Sequence, residues 1–555
     1  MPPLRLDGWT LATLLLAAVM VVPVVAVISL ALSPSDDIWS HLVDTVLAKY
    51  VRVTLGLMIG VGIGVTVIGT GTAWLVTMCR FPGRKLFNWA LLLPFAVPAY
   101  VLAFVATDQL EYAGAVQSVL RDLFGWRNRQ DYWFPEIRSL GGAIVVMTLV
   151  LYPYVYLLAR AAFMEQSVCV IEVSRTLGRG PWRSFFSVAL PLARPAIVIG
   201  VTLALMETVN DFGTVDFFAV NTFTAGIYDV WLNMNSRSGA AQLASVLLLF
   251  VLGLIAAERW GRQGQRFHHT STKYRELPSY RLSGGHALLA FLACLLPVLL
   301  GFILPASVLA HYASRYYEAT LSTNFFSYVA NSLTLATVSA VVAVAIGVFM
   351  AYGVRLSGSR AIRAVTRLAS VGYAIPGAVL AIGIVVPLGL FDNAIDAFSR
   401  NVFGIPTGLL MSGTIAGLVY GYLARFLALS YGTMESSLAK ITPSMDGAAR
   451  TLGYGPGATL TRVHFPLMRS SLLTAALLVF VDCMKELPLT LILRPFNYET
   501  LATFVYQYAT DALLEECALA ALAIVGAGIL PVILLSASVI RSRPGSAATG
   551  GSDDR

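Results

Sequence analysis

The chain has 555 residues, 57% of them hydrophobic and only 12% charged, about half the charged share of a soluble domain. So few charges cannot clothe that much apolar surface in water, which excludes a soluble enzyme or a nucleic-acid-binding domain and calls for lipid as the solvent. The formal charge of +8 marks no basic domain, because Lys and Arg sit in short runs between apolar segments, the pattern of membrane topology.

Stretches near 20 apolar residues, the length that crosses a hydrocarbon core, recur about twelve times along the chain. In the first half they fall at 9–33, 53–78, 88–107, 140–163, 194–212 and 241–258. The second half gives 284–310, 328–354, 364–390, 409–433, 470–492 and 517–540. The first span follows Arg5 but runs from Leu11 to Leu32, long for a signal sequence and without a convincing cleavage site, so it reads as an uncleaved helix. With the N-terminus in the cytoplasm, the inside segments collect 26 Lys and Arg against 9 Asp and Glu, and the outside segments and helix mouths 11 against 21. Arg425, inside an apolar span, stands apart from that count. Lys and Arg set orientation, so both termini are expected in the cytoplasm. The strongest basic run, Arg259, Arg262, Arg266, Lys273, Arg275 and Arg281, has no apolar period and reads as a cytoplasmic linker, 259–283. It separates a first repeat, 1–258, from a second, 284–545, and 546–555 forms a flexible C-terminal tail. Cys79, Cys169, Cys294, Cys483 and Cys517 show neither a CxxC pair nor metal-ligand spacing and read as small core hydrophobes.

The halves repeat. Arg175-Thr-Leu-Gly-Arg-Gly-Pro181 is answered by Arg450-Thr-Leu-Gly-Tyr-Gly-Pro456, and Pro191-Leu-Ala-Arg194 by Pro466-Leu-Met-Arg469. Between 175–194 and 450–469, ten of twenty positions are identical at a constant offset of 275. Ala96-Val-Pro-Ala-Tyr-Val-Leu-Ala103 pairs likewise with Ala374-Ile-Pro-Gly-Ala-Val-Leu-Ala381. Two halves of six spans each suggest a pseudo-two-fold bundle around a central pathway. The repeated loop, about 165–192 and 435–467, is basic and follows the fourth span of each half. Its start can form a helix that Gly178 and Gly180-Pro181 stop, since Gly accepts left-handed backbone and Pro cannot continue the helix. A helix, a Gly turn and a second helix on the membrane face suit docking into a soluble partner. A plain solvated connector is the alternative, and duplication of the pattern with fixed Pro spacing argues against it.

Glu172-Val-Ser-Arg-Thr-Leu-Gly178 with Leu190-Pro191, and Gly447-Ala-Ala-Arg-Thr-Leu-Gly453 with Phe465-Pro466, resemble the EAA signature of the permeases of binding-protein-dependent ABC importers. The first copy has Val-Ser for Ala-Ala; the second has Gly447 where Glu is expected, with Asp446 one place earlier. The resemblance spans about 50 to 540. It implies an all-α membrane protein of about twelve transmembrane helices in two six-helix pseudo-symmetric halves, each with a cytoplasmic coupling helix. The coupling residues it implies are Glu172, Arg175, Gly178 and Pro191, then Asp446, Arg450, Gly453 and Pro466. Expected partners are two copies of a cytoplasmic ATP-binding subunit, which would carry ATP and Mg, and an extracytoplasmic solute-binding protein; the location is the bacterial inner membrane.

Met484-Lys-Glu-Leu-Pro-Leu-Thr-Leu-Ile-Leu-Arg-Pro-Phe496 and Asp211-Phe-Gly-Thr-Val215 resemble segments of ferric-iron permeases, which implies iron as the solute, with thiamine, a polyamine or an oxyanion as alternatives. No GxxxxGK[ST], HExxH, G-x-S-x-G or paired Cys/His zinc pattern occurs, so the chain is expected to be no enzyme, to bind no cofactor and to hold no permanent metal. Gly60-Val-Gly-Ile-Gly64 lies in an apolar span and reads as helix packing rather than nucleotide binding. Under the 275 offset Glu207 aligns with Asp482, and Asp211 with Glu486. With Lys485 these are the candidate pathway residues, since carboxylate oxygens suit a hard cation; local ion pairing is the other reading. An ion-coupled carrier would share the twelve spans but would have no use for the duplicated loop.

Overall fold

The computed structural model describes residues 7–33, 38–165, 181–262, 280–321 and 323–541. The described chain is almost wholly helical. In order, it forms α1 (Gly8–Ala31), α2 (Ala48–Met78), α3 (Arg84–Ala90), α4 (Ala99–Leu110), α5 (Ala115–Phe124), α6 (Leu140–Glu165), α7 (Leu190–Asn210), α8 (Gly213–Phe217) and α9 (Arg237–Arg262). There follow α10 (Gly284–Val298), α11 (Leu304–Thr320), α12 (Thr323–Ser357), α13 (Arg360–Ala369), α14 (Gly377–Phe403), α15 (Ile415–Ala439), α16 (Pro443–Thr451), α17 (Phe465–Lys485), α18 (Pro488–Leu493) and α19 (Leu514–Arg541). Among the described residues eleven helical segments are long and apolar enough to cross a membrane, or twelve if the bent pair Arg84–Ala96 and Ala99–Phe124 counts as one span. The repeat is visible in the backbone: α7 and α17 begin and end at positions 275 apart.

Several span limits differ from the apolar runs, and proline explains most of the difference. The expected span 364–390 is instead the helix Gly377–Phe403, because Pro376 pushes the preceding residue out of helical backbone and separates it from α13. The expected span 88–107 bends by 91° between Ala96 and Ala99, where Pro98 stands. The expected 470–492 is a segment from Pro456 to Lys485 that ends before Pro488. The expected 194–212 starts earlier, at Phe185, and 409–433 is Ile415–Ala439.

The chain packs as two compact units that do not follow the order of the repeats. One unit gathers residues 1–47, 223–248 and 321–504, so it joins α1 to the α12–α18 core of the second half. Within it α1 lies along α12, α13 and α14. Its inward face is Thr13, Ala17, Met20, Pro23 and Val27, and its outward face is Leu11, Leu15, Val19, Val22, Val25 and Ile28. Small or compact groups inside and large apolar groups outside suit a helix solvated by lipid, where association rests on close backbone approach. Glycines supply that approach: a Cβ on Gly353 would stand 2.2 Å from Thr13 Oγ1, and one on Gly383 2.1 Å from the Pro23 carbonyl oxygen.

The other unit gathers 48–222, 249–320 and 505–555. Here α6 packs along α2 and α7, and the outer helices α10, α11 and α19 come from the second half. Gly60 and Gly64, four residues apart on α2, meet α6, where added Cβ atoms would each lie 2.5 Å from Ile144 or Thr148 side-chain atoms. The glycine run is a helix-packing stripe, as its apolar setting predicts. The pathway candidates thus fall at the ends of α7 and α17, in separate units.

Candidate coupling loops and translocation residues

The second loop is described throughout. Pro443 opens α16 in its first turn, where a missing N–H costs nothing. The helix runs to Thr451 and stops at Gly453, whose φ of +81° is left-handed backbone that favours glycine. Pro456 starts a second helical stretch that passes through a π-helical turn, Leu460–His464, into α17. Pro466 sits exposed in the first turn of α17, so the loop runs into the span without a break. Arg450 is exposed in the last turn of α16.

Asp446 is turned into the protein. Its carboxylate meets the guanidinium of Arg355, at the end of α12, with Nε and Nη2 each 2.9 Å away. It also lies 2.7 Å from His464 Nε2, a ring with no exposed surface. Arg355 donates in addition to the carbonyls of Leu438, at 2.5 Å, and Ile441, at 2.9 Å, at the end of α15. Tyr352, one turn earlier on α12, donates to the Pro456 carbonyl at 2.8 Å and stands edge-on to His464. The cluster therefore ties α16 to the adjoining ends of α12, α15 and α17.

In the first loop Glu172, Arg175 and Gly178 lie outside the described residues. Pro191 is described, exposed in the first turn of α7 and aligned with Pro466. The segment entering α7 rests on apolar contacts, with Phe185 4.9 Å from Trp74 and Trp74 5.5 Å from Phe163 between ring centroids. Most of the linker and the whole tail are likewise outside the described residues.

The candidate pathway residues sit at two matching helix breaks. Asp211 follows α7 in extended backbone (φ −66°, ψ 133°), and Glu486 follows α17 in the same way (φ −71°, ψ 120°). Each carboxylate caps the short helix beyond it, since a carboxylate accepts the free N–H groups of a helix start. Asp211 accepts from Thr214 N at 2.9 Å, Val215 N at 3.2 Å and Thr214 Oγ1 at 3.0 Å. Glu486 accepts from Leu489 N at 3.2 Å, Thr490 N at 3.1 Å and Thr490 Oγ1 at 3.0 Å. Glu486 also receives Arg425 Nη1 at 2.7 Å, a buried ion pair with side chains 7% and 2% exposed. Lys485 Nζ stands 2.9 Å from Asp482 Oδ1, one turn back on α17, the local pairing that the sequence leaves open. Glu207 is half-buried on α7, one turn before Asp211. Among the described residues no three His, Cys, Asp or Glu side chains come together to hold a metal.

Sequence reasoning missed Arg355, Tyr352 and His464, which carry no motif of their own. Arg425 did carry a signal, as a lone cation in an apolar run, and its partner Glu486 was singled out without it.

A family profile described as "Binding-protein-dependent transport system inner membrane component" matches the chain twice, over residues 66–260 and 343–543. The chain is 25% identical to the Fe(3+)-transport system permease protein FbpB 2 of Haemophilus influenzae over 493 residues, 88% of this chain and 90% of that protein. It is 28% identical to the molybdenum transport system permease protein ModB of Escherichia coli over 194 residues, 34% of this chain and 81% of that protein. With the sulfate transport system permease protein CysT of Escherichia coli it shares 28% identity over 275 residues, 46% of this chain and 95% of that protein.

Proposed function

Because the chain belongs to the binding-protein-dependent transport system inner membrane components, and is a multi-pass permease subunit of an ABC importer, we propose that the solute it passes is ferric iron. The observation that carries this reading is the span of the likeness. A protein named as an Fe(3+) permease aligns with both repeats of this chain, over 88% of its length, whereas the shorter molybdenum and sulfate permeases, matched over 81% and 95% of their own length, align with 34% and 46% of it. In this reading both termini are cytoplasmic, a soluble binding protein delivers iron outside, and two copies of an ATP-binding subunit seat on the loops at 165–192 and 435–467. Glu172, Arg175, Gly178, Pro191, Asp446, Arg450, Gly453 and Pro466 serve that seating.

In each unit taken by itself, the candidate residues for the cation's passage lie at a helix end, that of α7 in one and that of α17 in the other. Asp211 and Glu486 hold the two breaks in shape through their caps, and Glu207 and Asp482, one turn earlier, offer carboxylate oxygens, with Lys485 modulating Asp482. Carboxylates suit Fe(III) as a passing hard cation, and a route must release what it accepts. A second reading, an oxyanion solute, draws on the 28% identities to the molybdenum and sulfate permeases.

Uptake of radiolabelled Fe(III), molybdate and sulfate into vesicles carrying the chain, the ATPase, the binding protein and ATP separates them. Iron uptake that falls at least tenfold in the Glu207→Gln, Asp482→Asn variant is the expected result. Uptake of an oxyanion, thiamine or a polyamine in place of iron would overturn the iron reading. Unchanged iron uptake in the variant would remove the route residues alone.

A further inference from the structure

The second of the repeated loops is held to the helices around it by side chains that its motif does not mark. In it, one carboxylate on α16 joins a cation at the end of α12 and a fully buried imidazole at the start of α17, and that cation also donates to the carbonyls of Leu438, in the last turn of α15, and Ile441, just beyond it. Asp446 and Arg355 are 18% and 17% exposed. At such burial an ion pair in which Arg355 Nε and Nη2 both meet Asp446 Oδ2, with further hydrogen bonds around it, fixes geometry more firmly than a surface pair does. The positions aligned with Asp446 and His464 in the first loop are Ile171 and Ala189, which cannot carry ionic or imidazole contacts.

We propose that Arg355, Asp446 and His464 form a polar clamp through which the second loop moves as one piece with the ends of α12, α15 and α17, making it a stiff link between ATP hydrolysis and the permease. The clamp rests on the reading of 435–467 as an ATPase seat. It assigns positioning roles to three side chains, two of which no motif marks, and explains why Asp446 stands one residue before the place where the signature has its acid. From position 446 the side chain turns inward to Arg355 rather than outward to a partner.

The chemistry makes distinct demands on each member. Arg355 must reach a carboxylate and two carbonyls at once, which its planar fork of donors does and a Lys ammonium on a flexible stem does not. His464 must present a ring nitrogen to Asp446 without reaching solvent, so Gln can substitute in part and Leu cannot.

The test uses the full chain reconstituted with its ATPase and binding protein. Three quantities are read: binding of the ATPase, ATP hydrolysis, and solute imported per ATP hydrolysed. In Arg355→Lys the ATPase should bind and hydrolyse ATP within about threefold of the unaltered chain, while solute per ATP falls at least fivefold, and Asp446→Asn should lower the same ratio. His464→Gln should retain more of the ratio than His464→Leu, and Asp446→Glu more than Asp446→Asn. A clamp that only held the fold together would lower the amount of inserted protein and leave the ratio alone. Should a single variant fail to insert, Arg355→Met with Asp446→Leu replaces the ion pair by apolar groups and reads the same ratio. An unchanged solute-to-ATP ratio across these variants overturns the clamp. Failure of the unaltered chain to bind any ATPase would overturn the coupling-loop reading itself, and the two failures are thereby told apart.

Discussion

Breaking the Arg425–Glu486 pair should be costly one residue at a time and cheap in combination. The side chains are 7% and 2% exposed and 2.7 Å apart. Gly377 backs the pair so closely that a Cβ there would stand 2.1 Å from Arg425 Nη1 and 2.9 Å from Glu486 Oε1, so there is no room for water to replace a missing partner. Removing one member of a buried ion pair costs about 3–5 kcal/mol, whereas replacing both by neutral groups is often close to neutral. Glu486→Gln should fall at the upper end, because the amide leaves Arg425 without its neutralising carboxylate and weakens the cap on Leu489 and Thr490. Arg425→Met should fall at the lower end, since Glu486 keeps the N–H groups of Leu489 and Thr490 and the Thr490 hydroxyl. The double variant, Arg425→Met with Glu486→Gln, should be more stable than Glu486→Gln alone, a coupling energy of at least about 3 kcal/mol. Reversible unfolding in mixed micelles titrated with denaturing detergent measures all three. Additive losses in the double variant, or single losses below about 1 kcal/mol, would refute the reasoning.

Three further outcomes are expected. Gly453→Val should place a β-branched residue at φ +81°, a strain of about 1–3 kcal/mol. With nothing within 4 Å of the new Cβ, the damage should appear as lost transport or ATPase binding rather than lost insertion, read by uptake and co-purification. Gly383→Leu should push α1 from its groove, because even a Cβ meets the Pro23 carbonyl at 2.1 Å, and limited proteolysis should then release α1 more readily than from the unaltered chain. A Cys placed at Asn128 should react with an impermeant thiol reagent from outside and one at Gln263 should not; the reverse pattern sinks the orientation.

Composition and apolar length gave the membrane class and nearly every span, because the hydrocarbon core imposes a length that any window over the chain detects. Their limits were less legible where proline acts. Pro98, Pro376 and Pro488 each stand beside a break inside a run that hydropathy alone reads as continuous. The repeat showed that Asp211 and Glu486 are equivalent but not what they do, since an N-cap depends on the backbone two to four residues on. The clamp was hidden for a different reason: Arg355, Asp446 and His464 are separated by 91 and 18 residues, and each alone looks like an ordinary charged or polar residue near a membrane surface. Nor could the order of apolar runs show that α1 packs on the second half, because the glycines that receive it, Gly353 and Gly383, resemble any others in a span.

That last arrangement has a consequence for synthesis. Helix α1 enters the membrane well ahead of the helices that receive it, since Gly353, which meets Thr13, is made 340 residues later. At roughly 5–20 residues per second that is a wait of about 20–70 s. Residues 8–31 contain no Asp, Glu, Lys or Arg, and the large apolar side chains of the helix already face outward, so lipid alone can host it during the delay. Arg425 has no such freedom, and its carboxylate follows only 61 residues later. The ribosome delivers the charged span and its counter-ion close together and leaves the long wait to the helix that lipid solvates best.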